Sequence, residues 1–179
     1  MKAMASARTR WLTMAWCTLA LACAASAADD AMTALKKKHL RLPVDSARVS
    51  AMKGQFGDTR DGGARGHEAV DILAPRNTPV HAVEDGTIAR LFLSKPGGIT
   101  IYQFDEDARF CYYYAHLERY APGLKEGQRV DRGELLGYVG TTGNAPKDTP
   151  HLHFAIFELK DPPRWWQGTP LDPWQAFSR

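Results

Sequence analysis

The chain has 179 residues and a formal charge of +3 at neutral pH, and its length favours one domain over two. Three of its 23 basic residues and none of its 20 acidic residues lie in the first 27 positions, so residues 28–179 carry 20 of each. A balanced charge of this kind excludes a strong general attraction to nucleic acid or to an anionic membrane.

The first 27 residues have the pattern of a secretory signal peptide. Lys2, Arg8 and Arg10 give a basic start, an apolar run occupies positions 11–22, and Ala-Ser-Ala at 25–27 suits a signal peptidase. The apolar run is shorter than the roughly 20 residues that span a bilayer. We therefore predict that residues 1–27 are removed and that the protein is exported, to a periplasm or outside the cell.

The three cysteines leave a second interpretation of this segment open. Cleavage after position 27 removes Cys17 and Cys23, so that Cys111 stands alone and no internal disulfide is possible. However, Leu-Ala-Leu-Ala-Cys at 19–23 also resembles a lipoprotein cleavage site, with Cys23 as the lipidated first residue. A membrane is an expected partner only in that case.

Residues 28–47 form a predicted N-terminal helix and linker. Asp29 or Asp30 is a candidate cap for a helix through Ala31–His39, and three lysines at 36–38 read as its solvated end. Pro43 ends this stretch.

From residue 48 to the end, the pattern predicts a single all-β domain. Short runs of Val, Ile, Tyr and Phe alternate with polar residues, Gly or Pro separates them, and no convincing helical period follows Ala51. Many short strands favour an antiparallel sandwich or barrel. Loops at 61–66 and 140–150 precede two histidine-containing segments. The predicted strands are Ala69–Ile72, Pro79–Val83, Gly86–Leu93, Gly98–Phe104, Phe110–Leu117, Leu135–Val139 and His153–Leu159.

Four of the six histidines lie in segments that suggest a metal site. His151 and His153 point to one face of a strand, about 7 Å apart at ~3.3 Å per residue, which suits one ligand and one neighbour. The strand over 110–117 places Tyr112, Tyr114 and His116 on one face by the same alternation.

A further pair, His67 and Asp71, meets only if the chain bends. An extended segment holds residues four apart at about 13 Å, so the Gly-rich approach must turn the chain at His67. Imidazole nitrogen and carboxylate oxygen suit zinc, and three protein ligands with an open position are typical of a catalytic site.

Taken in order, these segments resemble the M23 family of zinc metallopeptidases, which includes the lysostaphin-like and LytM-like enzymes. The resemblance extends from about Val49 to Pro173. It rests on Phe-Gly-Asp-Thr-Arg at 56–60, His67 to Ile72, Ala-Pro-x-x-Thr-Pro-Val at 74–80, Tyr-Ala-His-Leu at 114–117, Gly-Tyr-Val-Gly-x-Thr-Gly at 137–143 and His-Leu-His-Phe at 151–154.

The resemblance implies an antiparallel β-sandwich of the lysostaphin-like, duplicated-hybrid-motif type. It implies that His67, Asp71 and His153 bind one Zn²⁺ per chain, and that His116 and His151 act on the attacking water and the transition state. Ala69 departs from the family pattern, which commonly has Gly there, and the loop before His67 is short.

Other candidate residues have simpler interpretations. We interpret His81 as a structural residue, His39 as solvated and Cys111 as a buried strand residue. Solvated loop charges are the expected state of Arg60 and Arg65. Trp165, Trp166 and Trp174 are expected to pack over the sheet, with a wall-binding surface as the alternative.

The resemblance implies an exported, monomeric endopeptidase that hydrolyses peptide cross-links of bacterial peptidoglycan. Its stem peptides are the expected partner, and either a D-Ala–diamino-acid bond or a glycine bridge is the expected target. One alternative is a non-hydrolytic LytM-like regulator that activates other wall hydrolases. Another is a swinging-arm carrier of biotin or lipoyl groups, which needs a hairpin lysine that the sequence lacks.

Overall fold

The computed structural model describes residues 29–60 and 65–178. The predicted signal peptide, Cys17, Cys23 and positions 61–64 of the Gly-rich loop lie outside these ranges, so the export and lipidation hypotheses stay predictions. Within the described ranges, no helix is long and apolar enough to cross a membrane.

Helices occur only near the two ends of the described chain. α1 covers residues 29–37, a 3-10 turn covers Val49–Met52, and α2 covers Pro173–Phe177. Asp29 and Asp30 lie inside α1, so the prediction that one of them caps it is wrong.

A short helix, α2, follows Ala51 although the sequence shows no convincing helical period there. Asp172 caps α2 by accepting a hydrogen bond from the Trp174 backbone N–H at 2.9 Å, and Pro173 occupies the first helical position. Asp followed by Pro is a known start signal for a helix. The helix has only five residues, too few to show an apolar period in the sequence.

The rest of the fold is antiparallel β-structure, as predicted. Every strand pairing is antiparallel, in one two-stranded ribbon of β1 and β2 and one nine-stranded sheet. The strands are β1 (Thr59–Arg60), β2 (Arg65–Gly66), β3 (Val70–Leu73), β4 (Pro79–His81), β5 (Gly86–Ser94), β6 (Gly98–Asp105), β7 (Phe110–Tyr120), β8 (Arg129–Val130), β9 (Leu135–Val139), β10 (His151–Arg164) and β11 (Gln167–Leu171).

The large sheet branches at β7. Its main path runs β11-β10-β7-β6-β5-β8, while β3 pairs with β10 and β4 pairs with β9. One edge of β7 pairs with β10 over residues 110–115 and with β9 from Leu117 onward. His116 therefore lies where this edge changes partner, and its backbone φ is +60°.

The core includes the N-terminal segment as well as the sheet. Ala31, Leu35, Leu40 and Val44 are buried within the same apolar cluster as the inward faces of β7 and β10. The backbone N–H of residue 41 also donates to the Val83 carbonyl at 2.9 Å. The segment predicted as helix and linker thus packs as part of the folded unit, while the predicted boundary at residue 48 stays a prediction.

The lysine run at the end of α1 is only partly solvated. Lys36 and Lys37 are exposed, but the Lys38 ammonium pairs with Glu84 and with the buried Asp105, at 2.9 Å in each case. His39 is exposed and Cys111 is buried, as predicted.

Candidate metal centre

Three side chains converge on one point at the junction of β2, β3 and β10. His67 follows β2, while Asp71 in β3 and His153 in β10 are direct partners in the antiparallel register. Direct partners share a face of the sheet, which places the two side chains together. His67 Nε2 lies 3.2 Å from Asp71 Oδ1 and 3.4 Å from His153 Nδ1, and His153 Nδ1 lies 2.9 Å from Asp71 Oδ1. The chain therefore bends at His67 as expected.

The geometry of these three atoms fits a zinc ion. A tetrahedral zinc site with bonds of about 2.0–2.1 Å separates its ligand atoms by about 3.3 Å. All three ligand atoms lie within 4.8 Å of one another, and their separations are close to that value. Two imidazoles and one carboxylate are also a donor set that zinc prefers in catalytic sites. The residues present can thus hold one zinc ion through His67, Asp71 and His153.

Gln55 supports two of these three residues, and the sequence analysis missed it. Its backbone carbonyl accepts a hydrogen bond from His67 Nδ1 at 3.0 Å, which leaves Nε2 directed at the cluster. Its side-chain oxygen accepts from the Asp71 backbone N–H at 2.7 Å. Groups that orient metal ligands in this way commonly fix ring orientation and tautomer. The only sequence signal was its position just before Phe56-Gly57.

The electrostatics of the cluster favour an ionised carboxylate. Burial alone favours the neutral acid, but hydrogen bonds from His153 and His67 outweigh it and hold the pKa of Asp71 well below its ordinary value. A negative charge at this point complements a bound cation.

Two further histidines lie beside the cluster. The ring centroid of His116 is 5.0 Å from that of His151 and 5.5 Å from that of His153, and His151 Nε2 is 3.9 Å from Asp71 Oδ1. His116 Nδ1 lies 2.9 Å from the Thr142 carbonyl oxygen, and His151 Nδ1 lies 2.8 Å from that of Thr149. A carbonyl only accepts, so both rings donate from Nδ1. In the neutral state each then has a proton acceptor at Nε2.

His116 is held in its neutral form. Burial lowers its pKa to about 4, with help from His153 and His151, although the Thr142 carbonyl and Asp71 act in the opposite direction. A neutral imidazole at physiological pH is a group that can accept a proton.

The backbone at His116 explains why its side chain faces the cleft. A strict strand alternation predicts that it shares a face with Tyr112 and Tyr114, and that prediction is wrong. Both tyrosines are fully buried in the core, whereas Tyr113 and His116 line the cleft. The left-handed backbone at His116 and the register shift after Leu117 break the alternation. Such a backbone costs of order 1–3 kcal/mol, so its surroundings must impose it.

Two loops in close contact impose this geometry. The backbone N–H of His116 donates to the Gly97 carbonyl at 2.9 Å, and the Thr142 hydroxyl donates to the Leu117 carbonyl at 2.7 Å. Gly98 and Gly143 both have positive φ and touch so closely that a Cβ on Gly143 would lie 2.4 Å from the Gly98 nitrogen. Glycine at these two positions lets the loops meet and hold His116 between them.

The cluster lies between two depressions that together make an open cleft. One, of about 500 Å³, is bounded by Gly97, Pro146 and Thr149 and reaches His116 and His151. The other, of about 220 Å³, lies beside Glu68, Ala155 and Phe157. His67, Tyr113 and His153 line both. An extended chain can therefore cross the cluster and continue on either side.

A larger groove elsewhere lacks this chemistry. About 820 Å³ in volume, it lies between the N-terminal segment and α2, near Leu40, Lys53 and Phe177. Histidine and cysteine are absent from its described lining, and Asp45 is its one carboxylate. The cleft at His67, Asp71 and His153 is therefore the candidate functional site.

The remaining predicted residues lie outside this cluster. His81 is in β4, partly buried, and burial together with the charge of Arg41 lowers its pKa. Arg60 and Arg65 pair through their backbones in the β1–β2 ribbon, and their side chains lie outside the description. Trp174 is in α2, 5.7 Å from the Lys53 ammonium, and Trp165 packs on the sheet as expected, but Trp166 is exposed.

The fold and the cluster together are those of a metal-dependent hydrolase. Residues 65–173 match the profile of Peptidase family M23, and the chain belongs to this family. Its all-β fold and its family, both expected from the sequence, are thereby confirmed.

Two relatives of this chain are named as endopeptidases. The L-Ala–D-Glu endopeptidase of Bacillus subtilis is 34% identical over 119 residues, which are 63% of this chain and 36% of that protein. The peptidoglycan DD-endopeptidase ShyC of Vibrio cholerae is 33% identical over 132 residues, which are 72% of this chain and 29% of that protein. The chain thus spans about a third of the length of these relatives.

Solved structures agree with the family. The catalytic domain of lysostaphin from Staphylococcus simulans superposes with a TM-score of 0.57 at 27% identity, covering 72% of this chain and 96% of that one. A zinc-containing peptidase from Vibrio cholerae has a TM-score of 0.60 at 25% identity, covering 76% of this chain and 38% of that one.

Proposed function

We propose that this protein is an exported zinc endopeptidase that hydrolyses peptide cross-links of bacterial peptidoglycan. The observation that carries the proposal is the convergence of His67, Asp71 and His153 beside two histidines whose Nε2 atoms are proton acceptors. Membership of family M23 supports the reaction type, and the names of the relatives support the substrate.

The residues divide into a metal-holding set and a proton-handling set. His67 Nε2, Asp71 Oδ1 and His153 Nδ1 are the proposed ligands, and a zinc ion held there supplies a Lewis acid and a water of lowered pKa. His116, neutral at physiological pH, accepts a proton at Nε2 and later returns it to the leaving amine. His151, whose Nε2 lies 3.9 Å from Asp71 Oδ1, is the second proton-handling group and acts with His116 on the transition state.

The shape of the cleft supports cleavage within a chain rather than at its end. Depressions on both sides of the cluster leave room for peptide before and after the scissile bond. The bonds named for relatives differ, since they include L-Ala–D-Glu, a DD bond and glycyl-glycine. We propose the D-Ala–diamino-acid cross-link, which the match to ShyC supports.

Location and assembly belong to the same proposal. A signal peptide at residues 1–27 places the enzyme in the periplasm, with a lipid anchor at Cys23 or secretion as alternatives. We propose that the enzyme acts as a monomer; one chain supplies all five residues of the site, which are His67, Asp71, His116, His151 and His153. A purely regulatory role is disfavoured by the same complete set.

The test is mass spectrometry of muropeptides released from purified wall sacs by the zinc-loaded protein. We expect cross-linked dimers to disappear and the product masses to identify the bond. His153→Ala should release none, whereas the exposed control His39→Asn should match the wild type, since Asn tolerates the positive φ of 51° at that position.

A wild-type protein that holds zinc but releases nothing from any wall type would contradict the proposal. That result would favour a regulator of other hydrolases, and co-purification with such hydrolases would then be measured.

A further inference from the structure

A row of aromatic rings leads from the metal centre to the surface. Tyr113 lies 6.1 Å from His153, Tyr102 lies 4.6 Å from Tyr113, and Trp165 lies 4.8 Å from Tyr102, measured between ring centroids. Trp166 follows at 5.2 Å from Trp165. These distances are in the range of direct aromatic contact. We call Tyr113, Tyr102, Trp165 and Trp166 the aromatic row.

The row begins inside the cleft and ends in solvent. Tyr113 lines both depressions around the metal centre, and Trp166 is 61% exposed. Trp165 is half-buried and packs on Phe92 at 5.2 Å, which fixes the tip of the β10–β11 hairpin against the sheet. Trp166, the outermost ring, contacts Trp165 and is open to a ligand.

Arginines border the outer half of the row. The guanidinium of Arg90 lies 5.9 Å from the Trp165 ring, and that of Arg164 lies 5.8 Å from the Trp166 ring. Both arginines are exposed and border an aromatic face with N–H groups, and Arg90 Nη1 also donates to Glu126 Oε2 at 3.2 Å. An aromatic plane bordered by such donors suits a ligand with an apolar face and polar edges.

Sugar rings have this combination of surfaces. The C–H groups of a pyranose stack on an indole face, while its hydroxyl and N-acetyl oxygens accept hydrogen bonds at the edge. Exposed apolar patches with a polar rim mark sites of contact with a ligand or a partner. The proposed substrate carries its peptides on chains of N-acetylated sugars, and its short stem peptides contain no aromatic residue to occupy the row.

We propose that the outer aromatic row, Trp165 and Trp166 with Arg90 and Arg164, binds the glycan strand of peptidoglycan while the stem peptide extends along Tyr113 into the metal centre. This subsite rests on the proposed function. It enables a chain with no separate binding domain among its described residues to recognise sugar and peptide at once. The continuity of the row with the cleft favours this ligand over a lipid surface or a second copy.

The test compares Trp166→Ala on two substrates. On intact wall sacs we expect kcat/KM to fall about tenfold, which corresponds to about 1.4 kcal/mol. On a sugar-free, cross-linked peptide dimer we expect a change of less than about twofold, since only the peptide enters the cleft. Trp166→Tyr should restore most of the loss on sacs because it retains an aromatic face. Lys160→Ala, at an exposed position of the same strand, is the control.

A binding measurement tests the subsite without catalysis. Soluble glycan strands freed of peptide should change the tryptophan fluorescence of the zinc-loaded wild type and leave that of Trp166→Ala unchanged. If the wild type and all variants cut neither substrate, the proposed function fails. The binding of glycan strands still tests the subsite in that case.

Three results would overturn the inference. Equal losses on sacs and on the peptide dimer would make Trp166 a structural support of the cleft. Unchanged sac hydrolysis together with absent glycan binding would remove the subsite altogether. Co-sedimentation with phosphatidylglycerol vesicles that depends on Trp166, without glycan binding, would assign the surface to a membrane.

Discussion

The protonation state of His116 depends on its immediate surroundings. Burial and the neighbouring His153 and His151 lower its pKa to about 4, from about 6.5 for an unperturbed histidine. We expect NMR titration of the metal-free protein, with the signal assigned by loss in His116→Ala, to give a midpoint near pH 4. A midpoint near 6.5 would show that the ring is solvated and poorly suited to act as a buried neutral base.

The same shift has a defined effect on stability. Between pH 6.5 and about 4 the unfolded chain binds the proton at His116 more readily than the folded chain does. The contribution of His116 to the free energy of unfolding therefore decreases as the pH falls across this window. Above pH 6.5 both states are neutral and the contribution is constant.

Gln55 is expected to control how well the metal is held. Its side chain fixes the Asp71 backbone and its carbonyl orients His67, so Gln55→Ala removes the first of these supports and loosens the second. We expect zinc affinity to fall by roughly 10- to 100-fold, the usual effect of removing such a support. Competition with a chromogenic chelator measures this. Gln175→Ala, at an exposed position of α2, is the matched control, and equal affinities in the two variants would remove Gln55 from the site.

At the scale of elements, the sequence predicted the strands better than it predicted their ends. Leu135–Val139 matches β9, but β10 extends to Arg164 and β7 to Tyr120, beyond the predicted ends. Alternating apolar residues mark a half-buried strand, whereas the outer part of β10 over residues 160–164 is charged, contains two prolines and carries no such pattern. The two-residue strands β1, β2 and β8 are too short for any period.

The identities of the candidate site residues could be predicted from the sequence, but part of their geometry could not. His67, Asp71, His116, His151 and His153 stand in recognisable motifs, and the structure brings all five together. The face of β7 that carries His116 was not predictable, because one residue with positive φ reverses the alternation. Tertiary contacts with two loops impose that backbone, and no local pattern encodes them.

The next prediction concerns the contact between the loops that contain Gly98 and Gly143. Gly143→Ala forces a Cβ against the Gly98 nitrogen and the Pro96 carbonyl, both 2.4 Å away, in addition to the cost of its positive φ. We expect the free energy of unfolding to fall by about 2–4 kcal/mol and activity to fall with it, because Thr142 no longer holds His116. Thermal unfolding and peptide hydrolysis measure the two effects.

Gly123 offers a control for the strained backbone alone. Its φ is +82°, yet a Cβ there meets nothing within 4 Å. Gly123→Ala should cost only about 1 kcal/mol and leave activity intact. If both variants lose the same stability and keep the same activity, the loop contact does not position His116.

At the scale of the whole molecule, the N-terminal segment stabilises the fold that carries the site. Ala31, Leu35, Leu40 and Val44 bury apolar surface in the core, and Lys38 ties the end of α1 to the sheet through Glu84 and Asp105. The sequence predicted a helix and linker here, since three consecutive lysines look like a solvated end. Both partners of Lys38 are distant in sequence, and local patterns do not reveal such pairings.

The last prediction concerns the ion pairs that Lys38 makes with Glu84 and Asp105. Lys38→Met leaves the Asp105 carboxylate, whose side chain is fully buried, without its cation, so we expect the free energy of unfolding to fall by about 2 kcal/mol. Burial opposes the charge on Lys38, but the hydrogen bonds to Glu84 and Asp105 outweigh it and raise its pKa above 10.5. The stabilisation is therefore complete below pH 10.5 and is lost as the pH rises through the folded-state pKa.

Chemical denaturation of the wild type and the variant, compared at neutral pH and near pH 11, checks both the size and the sign. The difference between them should shrink at the higher pH. Lys37→Met, at the exposed neighbouring position, should change little. Adding Asp105→Asn to Lys38→Met should recover part of the loss, because a neutral amide needs no cation and still accepts from the Phe110 backbone N–H. Without that recovery, the two residues do not act as a pair, and packing of α1 alone accounts for the stability of this segment.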